Sequence, residues 1–313
     1  MLLRRAPRPT LPLRALTRYF YAMTFRNDAD FNTKTVKRGG GKGRGLAIGG
    51  GGGIVAVIAV VVISQLTGFD VSGLFAGGNG QQQQPGVEIT GCTGADANDP
   101  ANIDCRMEGG SQSLSTYWSD QLGGDYRDPE VVLFDDSVST GCGQGSGATG
   151  PFYCSADESI YIDTSFFDDL RDRFGAEGGN LAEMYVLAHE WGHHVQFLRG
   201  ELQQMNPQDT GPASSMVRGE VQADCYAGAW MNGATGASED GAPPVMESVS
   251  AADFAQAIDA AGVIGDDRLQ QSSGQGVNPD AWSHGSSEQR QQWLMAGFDG
   301  GPGACDTWSV EAP

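Results

Sequence analysis

Two histidines four residues apart, with a glutamate between them, form the stretch of this chain with the clearest chemical meaning: His189-Glu190-Trp191-Gly192-His193. Positions i and i+4 of an α-helix lie on one face, so both imidazoles can reach a single ion. Neutral imidazole is a good zinc ligand, and a catalytic zinc uses three protein ligands and keeps one position for water. Glu190 lies next to the ligand face, where its carboxylate can take the proton of that water. The pattern therefore predicts a zinc-dependent peptide hydrolase.

A second pair of residues at the same spacing follows on another predicted helix, Glu220 and Asp224. Glu220 can supply the third zinc ligand. Asp224, one turn on, can accept a hydrogen bond from the far nitrogen of a ligand histidine and so fix its tautomer and direction. The alternative is two unrelated helices whose acids face solvent. Three of the four histidines of the chain fall at positions 189, 193 and 194, and this clustering favours the metal site.

Two further histidines and one arginine are candidates for roles at this site. His194 is five positions after His189, about 140° around a helix, so we expect it to make a structural hydrogen bond and not to bind the metal. His284 can stabilise the tetrahedral oxyanion or donate a proton across the cleft from Glu190, or it can be a capping or packing residue. Arg290 either pairs with an acid near the site or lies on the surface, and we assign it no role.

Besides these motifs, a series of short segments keeps a recognisable order along the chain: residues 131–134, 150–154, 160–163, 165–170, 189–196, 220–228, 264–270, 284–290 and 305–307. Over about residues 23–308 the chain resembles the putative neutral zinc metallopeptidase family of bacterial membrane-anchored proteins. The resemblance implies a zincin-like fold with His189, His193 and Glu220 on zinc and Glu190 as the catalytic acid and base. It does not imply a substrate. Trp191 stands where a small aliphatic residue is usual in the family, and residues 1–22 have no counterpart.

Charge is distributed very unevenly along the 313 residues. Residues 1–45 carry eleven Lys and Arg against two Asp, a balance of +9, whereas the whole chain is −20, so residues 46–313 carry −29 and contain no lysine. The basic segment suits the anionic inner leaflet of a membrane. The acidic remainder argues against nucleic-acid binding, since a phosphate backbone requires a positive surface.

An uncharged apolar run at residues 46–66 separates these two parts and has the length of one membrane-spanning helix. Because the flanking Lys and Arg precede it, we predict a single crossing with the N-terminus in the cytoplasm and the following domain outside the cytoplasmic membrane. A cleaved signal peptide is the alternative. Residues 67–86 are predicted to be a flexible linker, and residues 1–22 either a small extension or a wrongly assigned start.

All six cysteines follow the apolar run, and an even number outside the cytoplasm favours disulfide bonds. The short spacings favour the pairs Cys92–Cys105 and Cys142–Cys154. The remaining pair, Cys225–Cys305, would then tie the helix of Glu220 to the C-terminal region.

The pattern of apolar residues predicts an α+β domain over residues 87–308. In this domain a small sheet lies beside the helices that hold the metal. Residues 159–163 are either the edge strand that binds the substrate backbone by strand addition or an ordinary core strand. The predicted helices cover residues 114–122, 165–175 with Ser165 as cap, 180–200 with Asn180 as cap, 216–232, 250–263 and 287–298. The predicted strands cover 131–134 and 159–163.

The sequence is compatible with two functions other than that of a membrane-anchored peptidase acting on peptides or proteins. One is a non-catalytic membrane-tethered scaffold or binding module with a structural zinc, which would require a fourth protein ligand. The other is a different zinc hydrolase, such as a deformylase, in which Cys154 or Cys225 replaces Glu220. An oxidised cysteine cannot bind zinc, so disulfide formation would exclude both cysteines.

Overall fold

A mixed five-stranded sheet lies against a group of helices in the computed structural model, which describes residues 25–39, 86–236, 243–247, 249–274 and 276–313. This confirms the predicted α+β class. The strands are β1 (Val36–Arg38), β2 (Val87–Glu88), β3 (Glu130–Phe134), β4 (Ser137–Thr140), β5 (Gly143–Ser146), β6 (Phe152–Cys154) and β7 (Ser159–Asp163).

The centre of the sheet is the parallel pair β3 and β7, which confirms the two predicted strands. Val131 lies opposite Ile160, and Leu133 lies opposite Ile162. The strand order is β2-β1-β3-β7-β6, with β1 parallel to β3, and with β2 and β6 antiparallel to their neighbours. Because β7 lies between β3 and β6, residues 159–163 are a core strand, and the prediction that they form the substrate-binding edge is wrong.

Successive side chains of β3 point to opposite faces of the sheet, as expected for a strand. Val131 and Leu133 belong to the main core, which is built mostly from helices. Val132 and Phe134 point to the opposite face, where a second apolar cluster includes Val138 of the hairpin formed by β4 and β5. The sheet is therefore covered on both faces.

Six of the described helices correspond to the predicted ones, and the first of these begins well before residue 114. The short helices at residues 94–98 and 266–272 were not predicted. The helices are α1 (Gly94–Asn98), α2 (Ile103–Leu122), α3 (Phe166–Asp172), α4 (Asn180–Leu198), α5 (Ser215–Gly233), α6 (Ala251–Val263), α7 (Asp266–Ser272) and α8 (Ser287–Gly300), with 3-10 turns at Gly123–Asp125, Gly147–Thr149, Leu202–Gln204, Pro279–Ala281 and Pro302–Ala304. Ser165 occupies the predicted cap position of its helix, but its side chain makes no capping bond and its hydroxyl donates to Asp163. The other predicted cap is wrong, since Gly179 and not Asn180 occupies the cap position.

At the centre of the molecule, α5 packs against both α4 and α8. A Cβ atom on Gly228 of α5 would lie 2.0 Å from the carbonyl oxygen of Leu294, and one on Gly297 of α8 would lie 1.8 Å from that of Cys225. Backbones that approach so closely require glycine at both crossing points. This contact places α8 directly behind the helix that carries Glu220.

The three predicted disulfides are present. Cys92–Cys105 joins the start of α1 to α2, and Cys142–Cys154 holds the β4–β5 hairpin against the edge of the sheet. Cys225–Cys305 ties α5 to the C-terminal segment across 80 residues.

Residues 25–39 belong to the folded body, so the predicted domain start at residue 87 is too late. Phe25, Phe31 and Val36 are buried in the main core. The Glu108 carboxylate accepts hydrogen bonds from the backbone N–H and hydroxyl of Thr33, both at 2.9 Å. Residue 36 begins β1, which the prediction missed because its partner β3 lies about a hundred residues further along the chain.

This packing conflicts with the predicted location of residues 1–45 in the cytoplasm. A single crossing at residues 46–66 would separate residues 25–39 from the body into which they are packed. Residues 46–66, the first 24 residues and all but the last residue of the predicted linker 67–86 lie outside the described residues. Within the part that is described, no helix has the length and apolar character needed to cross a membrane.

Candidate metal centre

Three side chains from α4 and α5 converge on one point. His189 and His193 lie one turn apart on α4, and their Nε2 atoms are 3.2 Å apart. From α5, the Oε2 atom of Glu220 lies 3.3 Å from His189 Nε2, and its Oε1 atom lies 3.8 Å from His193 Nε2. All three side chains are buried. The predicted ligand set is thus brought together.

The arrangement fits a zinc ion. Tetrahedral zinc with bonds of about 2.0–2.1 Å separates its ligand atoms by about 3.3 Å, and the two closest pairs have this spacing. Neither carboxylate oxygen of Glu220 accepts a hydrogen bond of satisfactory geometry, although both are buried. An unsatisfied buried carboxylate beside two facing imidazole nitrogens is unfavourable without a cation. Among the described residues, this is the group of His, Cys, Asp and Glu side chains suited to hold a metal.

The far nitrogen of each ligand histidine contacts an oxygen, which leaves both Nε2 atoms facing the site. His189 Nδ1 lies 2.8 Å from Asp224 Oδ1, the contact expected of Asp224. His193 Nδ1 lies 2.8 Å from Gln196 Oε1. The sequence reasoning missed Gln196, although its spacing of three residues from His193 on one helix could have indicated the contact.

Asp224 is fully buried and yet held ionised. Burial alone would raise the pKa of its carboxyl group, but the positive charges of Arg290 and His189 hold that pKa well below its usual range. Arg290, to which the sequence assigned no role, lies beside the site and pairs with Asp224.

Glu190 is buried next to the ligands. One of its carboxylate oxygens has no hydrogen-bond partner, and the backbone N–H of Tyr153 is hydrogen-bonded to the carboxylate. Burial raises the pKa of Glu190 to about 7, although the charge of His189 opposes the increase. A carboxylate with this pKa can both accept and return a proton near neutral pH.

Tyr153 lies on β6, the outermost strand of the described sheet on this side. The strand next to Glu190 is therefore β6 and not β7. Its position at the edge could not be read from the sequence because three residues are too short a run to show alternation.

His284 is also buried, and a carboxylate fixes it in place. Its Nδ1 atom lies 3.2 Å from Asp266 Oδ1, while Asp266 Oδ2 accepts the backbone N–H groups of Ser283, His284 and Gly285 at 2.8, 2.8 and 3.1 Å. Burial would raise the pKa of Glu220, but the interaction with His189 and, after it, the charge of His284 lower that pKa. The sequence indicated His284 but did not single out Asp266 as its partner.

His194 points away from the metal ligands, as its helical position predicted. Its Nδ1 atom lies 3.0 Å from the Tyr153 hydroxyl, and its Nε2 atom lies 2.8 Å from the backbone carbonyl of Arg127. The structural hydrogen bond predicted for His194 is thus confirmed.

Gly192, inside the histidine motif, is where α4 and α5 come closest. A Cβ atom at this position would lie 2.9 Å from both the Cα and the carbonyl oxygen of Ala223. Ala223 lies between Glu220 and Asp224 on α5, so this contact sets the distance at which both acids meet the histidines.

Comparisons with known proteins agree with this geometry. The profile of the family described as "Putative neutral zinc metallopeptidase" matches residues 25–308. A protein of Mycobacterium tuberculosis (strain H37Rv) is 45% identical over 229 residues, which cover 72% of this chain and 77% of that protein. The Escherichia coli K12 protein YpfJ is 38% identical over 276 residues, 86% of this chain and 90% of its own length. Both are named as uncharacterized proteins, so their names assign no activity. No solved structure matches the chain.

Proposed function

The chain belongs to the neutral zinc metallopeptidase family described above, and on that premise we propose that it hydrolyses peptide bonds with a zinc ion held by His189, His193 and Glu220. The observation that carries the proposal is the convergence of these three side chains beside the buried, partly unpaired carboxylate of Glu190. A zinc ion in this position supplies Lewis acidity towards a peptide carbonyl and makes water acidic enough to react near neutral pH.

The carboxylate of Glu190 accepts the proton of the attacking water and delivers it to the leaving nitrogen. Its pKa of about 7, raised by burial, suits both transfers. Asp224 and Gln196 hold the two imidazoles so that their Nε2 atoms face the metal. These contacts keep the histidines in one tautomer throughout the reaction.

His284 acts on the opposite side of the reacting carbonyl in this proposal. Asp266 Oδ1 lies 3.2 Å from its Nδ1 atom and fixes the direction of the imidazole ring, which supplies the stabilisation of the developing oxyanion. Strand β6 supports binding of an extended peptide by strand addition, because the backbone of Tyr153 already reaches Glu190.

The state of the cysteines bears on the alternative functions. Cys154 and Cys225 are both in disulfides, so neither can take the ligand position that a deformylase-like site would need. The described metal group contains three residues, which supports an open coordination position over the closed shell of a structural zinc. The scaffold alternative therefore has less support than the peptidase.

We also propose that the domain lies outside the cytoplasmic membrane, attached through residues 46–66, and acts on peptides or proteins and not on nucleic acid. Three disulfides support an oxidising compartment. The apolar run supports membrane attachment, and the −29 charge of residues 46–313 disfavours nucleic acid.

The proposal is tested on the full chain purified in detergent, because a protein truncated to residues 87–313 would lack β1. Zinc content, thermal unfolding and cleavage of a fluorogenic peptide library are measured for the wild type and for Glu190→Gln, His193→Ala and His194→Gln. We expect about one zinc per chain in the wild type, in Glu190→Gln and in His194→Gln, and zinc loss in His193→Ala. The Glu190→Gln protein should lose activity by at least about 100-fold.

His194→Gln is the matched control, since its imidazole is equally buried on α4 but points away from the ligands. A wild-type protein without zinc, or full peptidase activity in Glu190→Gln, would contradict the proposed function.

A further inference from the structure

Arg290 is a buried arginine that reaches the metal centre from the last helix, α8. Its side chain is 3% exposed. Its Nε atom donates to Asp224 Oδ2 at 2.9 Å, and its Nη2 atom donates to Asp224 Oδ1 at 3.0 Å. The planar guanidinium thus grips both oxygens of one carboxylate, a geometry that the ammonium group of lysine cannot reproduce.

Asp224 Oδ1 is the meeting point of three donors. Besides Arg290, it accepts a hydrogen bond from the Tyr185 hydroxyl at 2.5 Å and faces His189 Nδ1 at 2.8 Å. The same Nη2 atom of Arg290 lies 3.1 Å from the Tyr185 oxygen, which closes the network. A carboxylate bound on so many sides cannot rotate, so the direction of the His189 ring is fixed by groups outside the ligand set.

We propose that Arg290 is a positioning residue of the metal centre, acting on His189 through Asp224. This inference rests on the proposed function only in taking His189 as a metal ligand. The zinc affinity of the site formed by α4 and α5 therefore depends on a side chain of α8, although α8 contributes no proposed ligand.

A buried arginine paired with a carboxylate can also be purely structural, and the chain offers a matched example. Arg106, 1% exposed, donates to Glu183 Oε2 at 2.5 Å and to the backbone carbonyl of Asp99 at 2.7 Å. Glu183 lies on α4, as His189 does, but six residues earlier in the sequence. Arg106→Lys therefore disturbs a comparable buried pair without touching the network around Asp224.

The experiment measures the zinc dissociation constant of the metal-free full chain by competition with a chromophoric chelator, and thermal unfolding in excess chelator. The variants are Arg290→Lys, Arg106→Lys, Asp224→Asn and the double variant Arg290→Lys with Asp224→Asn. We expect Arg290→Lys to weaken zinc binding by about 10–100-fold, as loss of outer contacts to a ligand does. Arg106→Lys should change zinc binding by less than about 2-fold, even where it lowers the unfolding temperature as much.

In the Asp224→Asn background, Arg290→Lys should have almost no further effect on zinc binding, because the residue through which Arg290 acts has been altered. Unchanged zinc affinity in Arg290→Lys, or a full additional loss in the Asp224→Asn background, would overturn the positioning role. Failure of the wild type to bind zinc would overturn the metal site itself, which is a separate result.

A second, independent inference concerns the two segments that precede and follow the apolar run at residues 46–66. In the sheet, Arg38 at the end of β1 lies opposite Val87 at the start of β2 in an antiparallel pair. The chain therefore leaves β1 and returns to β2 at neighbouring positions of the sheet. The contacts of Phe25, Phe31 and Val36 with the core hold β1 firmly in that sheet.

A single crossing of the membrane would place residues 39 and 86 on opposite faces of a hydrocarbon layer about 30 Å thick. We infer that residues 25–39 and 86–313 lie on the same side of the membrane.

Labelling of single cysteines with a membrane-impermeant maleimide tests this inference in intact bacterial cells expressing the full chain. The positions are Asn32→Cys and, as a reference in the main body, Gln203→Cys, both exposed. The native cysteines are all in disulfides, and the chain without an added cysteine measures the background before and after permeabilisation. Equal labelling of both positions, either before or only after permeabilisation, supports a common side; labelling of only one of them in intact cells overturns it. Protection of both until permeabilisation would contradict the proposed extracytoplasmic location but not this inference.

Discussion

The amide oxygen of Gln196 lies 2.8 Å from the Nδ1 atom of His193, three residues earlier on the same helix. The amide nitrogen of Gln196 is also occupied, since it donates to the backbone carbonyl of Gly219 at 2.7 Å and to Gln222 at 2.9 Å. The orientation of one ligand on α4 is thus tied to the backbone of α5 immediately before the other ligand, Glu220.

Replacing Gln196 by Met should weaken zinc binding by about 10–100-fold, because the amide that orients His193 is lost while the volume is nearly kept. Chelator competition measures the effect. Gln203→Met, at an exposed position, is the control. Zinc affinity equal to that of the wild type would show that His193 needs no such support.

Gly192→Ala should destabilise the protein and weaken its zinc site together. The new methyl group would lie 2.9 Å from the backbone of Ala223, so α4 and α5 must move apart. Overpacking of this kind destabilises by about 1–3 kcal/mol. Urea unfolding of the metal-free and zinc-bound proteins separates the two effects. Gly124→Ala, where an added Cβ atom meets nothing within 4 Å, should leave zinc binding unchanged.

The acidic side of the pH profile should report the ionisation of Glu190. Burial raises its pKa to about 7 in the metal-free protein, against the effect of His189. The carboxylate accepts a proton only when ionised, so kcat/KM should fall as pH falls through its pKa. A bound cation favours the ionised form, so the midpoint should lie below 7. Zinc content must be measured at each pH, since protons also compete for the histidines. A midpoint above 7 at constant zinc content would argue against Glu190 as the base.

His284→Asn should lower kcat by about 100–1,000-fold, the effect of removing an oxyanion donor, while leaving bound zinc intact. Asp266→Asn should reduce kcat less, because the ring is kept but its support at Nδ1 is weakened. Steady-state kinetics and zinc analysis on the same samples distinguish the roles. Loss of zinc from His284→Asn would make His284 a ligand instead.

The contribution of each disulfide to the free energy of unfolding should increase with the length of the loop that it closes. Cys225–Cys305 spans 80 residues, whereas Cys142–Cys154 spans 12. Loop-closure entropy then predicts about 4.5 kcal/mol for the first and about 3 kcal/mol for the second. Paired Cys→Ala variants compared by urea unfolding test the order. The reverse order would show that native-state contacts, and not unfolded-chain entropy, dominate.

What the sequence predicted correctly was mostly local. The spacing of His189 and His193 follows from one helical turn. Residues 131–134 are a continuous apolar run, and residues 159–163 alternate after a glycine-rich loop. The two short disulfides follow from chain proximity. In each case, residues close in sequence determine the outcome.

The features that were missed depend on distant partners. Strand β1 contains Lys37 and Arg38 and has little apolar character, yet it pairs with β3 and forms ion pairs with Glu130 and Asp104. The role of Arg290 depends on α8 crossing α5 at two glycines. Neither relationship leaves a periodic signal, because the partner of each residue lies about 65 residues or more away in the sequence.

The network around His189 joins residues of three helices, α4, α5 and α8, and its last member, Arg290, comes from α8, which begins at Ser287. An unfinished polypeptide can carry all three zinc ligands and still lack Arg290, as well as the Cys305 partner of Cys225. On the proposed function, a nascent chain that has been translated only as far as Glu220 and Asp224 binds zinc weakly, so peptidase activity waits for the folding of α8 onto α5.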